Sequence, residues 1–321
     1  MTIALPLPDG GFAHFAVEEY SMMEPELAAK HPDIKTYHGR GVDDPTAVRF
    51  GISPEGFNSM ILSANGTILI DRYAVGDTDH YINYFKSDVE RSGEFSCNFR
   101  NELGDFTKIP DFLPETSNVV SGTNLRTYRL ALAATAEYTN VFRQSGDTDA
   151  QARVRALSRM VLIMNRFNAV YEREVSIRMV LSPREDSIIY TDSATDPYTN
   201  ENGQTMLGQN QSNLDNVIGS ANYDIGHVFS TGGGGIANLQ SPCSATRKAQ
   251  GVTGLPNPIG DAFATDYVAH EMGHQFGGAD THSTSASEAA AHNAPPMPPT
   301  NRAAASRLWA TPEFAAARIW H

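Results

Sequence analysis

Two histidines four positions apart flank a glutamate in His270-Glu271-Met272-Gly273-His274. On a helix, positions i and i+4 share a face, so both imidazoles can turn a nitrogen toward one metal ion, and zinc is the ion such a donor pair suits. Glu271 then sits beside the metal rather than on it. In that place it can take a proton from a zinc-bound water and deliver it to the leaving amine, while zinc polarises the scissile carbonyl. That is peptide hydrolysis without a covalent intermediate. Val268 and Phe276 give the segment an apolar side, and Gly277, three residues after His274, allows a sharp turn that can return a third ligand to the metal. Asp280 follows three residues after Gly277, and a carboxylate can bind zinc.

A zinc helix needs a scaffold, and the chain before it alternates between strand and helix patterns. Tyr128, Leu130 and Leu132 alternate as in a strand, and Asp147-Thr148-Asp149 offers N-caps for a long helix. Val154, Leu157, Val161, Met164 and Phe167 recur at spacings of three and four, which gives that helix an apolar face. Val175, Ile177, Met179 and Leu181 predict a second strand, and Ile188 to Thr191 a short third one. Leu207, Leu214, Val217 and Ile218 predict another helix, and Ile225 to Ser230 a strand ahead of Gly232-Gly233-Gly234-Gly235. This is a mixed α/β order. Earlier in the chain, Met60-Ile61-Leu62, Asn65-Gly66 and Thr67-Ile68-Leu69-Ile70 form a hairpin signal within a turn-rich segment. Pro110, Pro114 and Glu115-Thr116-Ser117-Asn118 read as a linker. The expected division is a β-rich region over 1–120, a catalytic domain over 121–279 and a separate tail over 280–321.

His270-Glu271-Met272-Gly273-His274-Gln275-Phe276-Gly277 resembles the active helix of the metzincins, in particular the reprolysin-like (adamalysin-like) metallopeptidases. The resemblance covers most of Thr127 to Gly278, with Tyr128-Arg129-Leu130-Ala131-Leu132-Ala133 as the first strand. It implies an α/β (α+β) catalytic domain with a twisted mixed sheet, preceded by a small β-rich pro-segment like those of bacterial secreted members. It implies a Zn2+ cofactor, a protein or peptide substrate and a secreted protein. Gly234-Gly235-Ile236-Ala237 resembles the edge strand that pairs with an extended substrate, a backbone mode that explains broad specificity. Cys243 resembles a disulfide cysteine of the family, whereas Cys97 reads as a buried small hydrophobe and His227, on a predicted strand, as structural.

The family pattern breaks after Gly277. A third histidine is expected where Asp280 stands, and Met297, inside Pro295-Pro296-Met297-Pro298-Pro299, cannot form the methionine turn that follows in the family. The last 42 residues hold 12 Ala, 5 Pro and both Trp but none of the 26 Gly, unlike the chain before them. A shifted reading frame accounts for these departures together. Asp280-Thr281-His282-Ser283-Thr284 then permits a His-Thr-Phe-Asn string, and Pro299 to Ala315 permits a methionine turn and a cysteine able to pair with Cys243. The expectation is an Ala/Pro tail without selected structure and an impaired peptidase. The alternative is a catalytically inactive remnant that binds peptides or partners through the same cleft.

Composition narrows the classes further. With 24 Lys and Arg against 37 Asp and Glu, the net charge is -13, and no basic cluster is present to bind nucleic acid. No stretch reaches the ~18 apolar residues of a membrane span. Met1-Thr2-Ile3-Ala4-Leu5-Pro6 carries no visible export signal, and two cysteines define no disulfide framework.

Overall fold

The computed structural model describes residues 1–89 and 124–278. The linker signals at Pro110 and Pro114, Cys97, Asp280, Met297 and the Ala/Pro tail all lie outside the described residues.

Seven strands, β1 (Thr2–Pro6), β2 (Phe12–Glu19), β3 (Lys35–Gly41), β4 (Ala47–Ser53), β5 (Gly56–Ser63), β6 (Gly66–Arg72) and β7 (Tyr81–Phe85), pair in sequence order into one antiparallel sheet. The Asn65–Gly66 signal lies at the turn it predicts, with Ser63 opposite Gly66 in the β5–β6 register. Alternation sends Phe15, Val48, Phe50, Ile61 and Ile68 to one face, where they make a core of their own. Met60, Leu62 and Leu69 point the other way and pack against Ala169 of a long helix.

That helix, α3 (Asp149–Val175), follows β8 (Arg126–Ala134) and the short α2 (Ala136–Phe142). The short α1 (Pro25–Lys30) lies between β2 and β3, with Leu27 buried in the main core beside Leu181. Thr148 caps α3: its hydroxyl accepts from the Gln151 N–H, and the Gln151 side chain returns to the Thr148 backbone. Sequence periodicity gives α3 a single apolar face, but every residue from Met160 to Tyr171 is buried. The helix lies between two sheets, so its second side is covered by the seven-stranded sheet. Two asparagines bond across these contacts: Asn168 bonds both the N–H and the C=O of Met179 at 2.9 Å, and Asn165 donates to the Phe50 carbonyl at 3.1 Å.

The second sheet has the order β11 (Gly235–Ala237), β12 (Gly251–Gly254), β10 (Ile225–Ser230), β8, β9 (Ile177–Leu181). β12, β10, β8 and β9 run parallel, and β11 is antiparallel at the edge. Parallel neighbours need crossovers, which α3 supplies between β8 and β9. Both faces are covered, so β8 is buried on both sides from Leu130 to Ala134: Leu130 and Leu132 face α3, Ala131 and Ala133 face α4 (Gly203–Leu214). The mixed α/β fold class read from the sequence stands.

Two expected strands differ. Val175 ends α3, because Ser176 takes a left-handed conformation (φ 55°) and only then does β9 begin. Ile188 to Thr191 is no strand: Glu185–Ile188 forms a 3-10 turn and Ile189 makes one isolated bridge to Ala134. Ile188 is buried by that turn, so the apolar run reflects burial rather than strand pairing.

Candidate metal centre

The zinc motif lies on α5 (Ala269–Gln275), which continues a π-wound lead-in, Ala262–Val268. Val268 and Met272 turn into the main core, and Phe276 meets Tyr128 edge to face at 5.3 Å. Tyr171 of α3 donates to the Ala269 carbonyl at 2.6 Å, fixing the first turn of α5 from behind.

The far end is closed by Gly277 at φ 94°. Its N–H bonds the His274 carbonyl and the Gly278 N–H bonds the Gly273 carbonyl, both at 2.8 Å, which is a Schellman stop. This is the turn the sequence assigns to Gly277. It has a second effect: the Gly278 carbonyl accepts from His274 Nδ1 at 2.7 Å. With the proton held there, His274 Nε2 keeps its lone pair.

His270 Nε2 lies 3.0 Å from His274 Nε2, and the donor atoms of His270, Glu271 and His274 all fall within 4.8 Å of one another. Two nitrogens on a tetrahedral zinc at ~2.05 Å stand about 3.3 Å apart, so the pair is close to the spacing the ion requires. All three side chains are buried. Burial, with His274 adjacent, holds the His270 pKa well below the ordinary imidazole range and leaves a neutral ring for a cation. Glu271 Oε1 is 3.9 Å from His270 Nε2, beside the pair rather than between the nitrogens. The donor set therefore fits zinc as far as two ligands, with Asp280 outside the described residues.

The segment Gly234-Gly235-Ile236-Ala237 falls at the sheet's edge, with Gly235–Ala237 paired to β12 and Gly234 in the turn before it. A Cβ on Gly235 would overlap the Glu271 carboxylate and the Tyr267 ring. Edge strand and acid are thus in direct contact, which the sequence does not announce.

Sequence reading also misses a hub below the helix. Gln275 Nε2 donates to the Gly226 carbonyl at 3.0 Å and to Ser241 Oγ at 3.3 Å, so its Oε1 faces His227 Nδ1 at 2.8 Å. The ring donates from Nδ1 and accepts from Thr253 Oγ1 at 2.8 Å. His227 is therefore structural, as expected, and ties α5 to β10 and β12. Its burial pushes its pKa down to about 4. Cys243, in a left-handed conformation, is an exposed free thiol among the described residues.

A parallel-cored sheet thus carries an HExxH helix against an antiparallel edge strand. Residues 157–281 match the family model of the reprolysin-like metallo-peptidases of family M12B, so this part of the chain is similar to that family. No curated protein matches the chain. Among solved structures, metalloproteinase-II from Bacteroides fragilis is similar at 11% identity and a TM-score of 0.46, over 86% of this chain and 80% of that one. No described helix is long and apolar enough to cross a membrane.

Proposed function

We propose that this chain is a zinc-dependent endopeptidase in which His270 and His274 hold the ion and Glu271 is the general base. The observation that carries the reading is the approach of the two Nε2 atoms to 3.0 Å with the Glu271 carboxylate alongside. Zinc, when bound, supplies Lewis acidity that polarises the scissile carbonyl and raises the reactivity of a nearby water. The Glu271 carboxylate takes the proton of the attacking water and returns it to the departing amine. The Gly278 carbonyl keeps the His274 proton on Nδ1, so the other ring nitrogen faces the ion. Residues Gly234 to Ala237 pair with the backbone of an extended peptide, and Glu271 against Gly235 lies under the bond presented there. Asp280 stands at the third-ligand position of the family pattern, and whether it binds zinc is read from the zinc affinity of Asp280→Ala.

The same proposal assigns 1–120 as a pro-segment-like region, 121–279 as the catalytic domain and 280–321 as an aberrant tail that leaves the peptidase impaired. A secreted location follows from the family resemblance. The deciding experiment is Glu271→Gln, assayed on an unfolded protein substrate beside zinc content. Hydrolysis is expected to fall by about 10²–10⁴-fold with zinc content unchanged. Hydrolysis retained in the variant removes Glu271 from the mechanism. A wild type that binds zinc and never cleaves supports the inactive, peptide-binding remnant instead.

A further inference from the structure

Asp261 and Asp266 stand five residues apart on the lead-in to α5, and one lysine from the other sheet reaches both. Lys86, directly after β7, places Nζ 2.8 Å from Asp261 Oδ2 and donates to Asp266 Oδ1 at 2.7 Å. Its side chain is only 13% exposed. Burial alone would lower its pKa, but the two carboxylates outweigh that and raise it, so the ammonium stays charged.

The spacing carries the argument. On an α-helix each residue advances about 100°, so carboxylates five apart point about 140° away from each other and one ammonium cannot hold both. In a π-helix the i→i+5 bond stacks residues five apart on one side. The segment that starts directly after Asp261 and contains Asp266, Ala262–Val268, is π-wound. Two further contacts fix its start: Thr265 Oγ1 donates to Asp261 Oδ1 at 2.7 Å, and Arg166 of α3 lies 3.4 Å from the same oxygen. Arg166 is in turn paired at 2.7 Å with Asp71 of β6, which accepts from Tyr84 of β7 at 2.8 Å.

Relaxing the π turn to α would remove one residue's worth of winding and rotate the following side chains by about 100° about the axis. His270 begins two residues after the π segment ends. We infer that Lys86, carried by the seven-stranded sheet, holds this lead-in in its π-wound form and so sets the direction in which His270, Glu271 and His274 face the edge strand. Lys86 is a positioning residue, and the pro-segment-like sheet acts on the metal centre from behind. The inference rests on the zinc reading only where zinc is measured, because the winding itself is testable without metal.

The test uses the full chain as wild type, Lys86→Met, Lys86→Arg and Asp266→Asn. Amide exchange in metal-free protein should quicken about tenfold or more over 262–275 in Lys86→Met and Asp266→Asn, while β10 and α4 keep wild-type protection. Lys86→Arg, which keeps the charge, should restore most of the protection. Zinc affinity, read by competition with a chromophoric chelator, should weaken about tenfold in Lys86→Met and recover in Lys86→Arg. Unchanged exchange over 262–275 in both variants overturns the proposal. So does equal acceleration in β10 and α4, which would make Lys86 an ordinary stabilising residue, and so does altered exchange with zinc affinity within about twofold of wild type. A wild type that takes up no zinc defeats the zinc-site reading, and the exchange pattern then judges the winding by itself.

Discussion

Glu271 stands where it does because Gly235 has no side chain. The carboxylate fills the space a Cβ would need, beside the Tyr267 ring. Gly235→Ala should push the carboxylate off its position without touching a metal-binding nitrogen, and displacement of a catalytic group by about 1 Å can cost on the order of 10² in rate. The expected result is a fall in kcat of that size with zinc content retained; unaltered kcat would mean that Glu271 tolerates the shift. His227 predicts a pH effect. Its pKa is about 4 in the folded chain against 6.5 for an ordinary imidazole, so the unfolded state gains a proton first as pH falls. The stability is present above pH 6.5 and is lost between about 6.5 and 4, by about 3 kcal/mol in all. His227→Gln, which cannot titrate, should flatten that part of the stability curve relative to wild type in urea unfolding at a series of pH values. His270 is also depressed by burial, but it is common to both proteins and drops out of the difference.

At the scale of elements, the zinc helix is bounded by features of different visibility. Its end depends on Gly277 at φ 94°, a conformation that costs a residue with a Cβ about 1–2 kcal/mol. Gly277→Ala should lower stability by that amount and weaken zinc binding, since the Gly278 carbonyl that holds His274 would shift with the turn; calorimetry with and without zinc separates the two effects. Gly277 was readable in advance because turn chemistry is local. So was α3, from its period and from Thr148, and so were the β5–β6 hairpin and β10. What local pattern could not show is what depends on a partner far along the chain. The π-wound lead-in requires Lys86, about 180 residues earlier. The hub at Gln275 requires Gly226, His227 and Ser241 to arrive together, and a lone His227 gives no sign of it. Apolar alternation runs on across Ser176 and so predicts a strand at Val175, where the chain turns instead.

On the scale of the whole molecule, α3 belongs to both sheets. Its apolar residues Leu157, Met164 and Phe167 join the core under β8 and β9, while Ala169 packs on Met60 and Leu69 of the seven-stranded sheet. Ionic contacts repeat this bridging: Arg49 of β4 pairs with Glu172, Glu55 pairs with Arg72 at 2.8 Å and Arg155 at 2.5 Å, and Arg166 links Asp71 to Asp261. Arg166 is the most buried of these, 2% exposed, so removing it takes a cation from two carboxylates, leaving Asp261 with Lys86 and Thr265 and Asp71 with Tyr84. Breaking a buried pair from one side costs about 3–5 kcal/mol, far more than an exposed pair is worth. Arg166→Met, which keeps the aliphatic stem, should therefore destabilise the chain by at most that amount, since Lys86 and Tyr84 stay on the two carboxylates. Because the helix is shared, the loss should reach both sheets together: amide protection in β5 and in β10 should fall in parallel, and Arg166→Met with Asp71→Asn should recover part of it. Loss of protection in β5 alone, with β10 at the wild-type level, would mean that the two sheets fold as separate bodies and that α3 does not couple them.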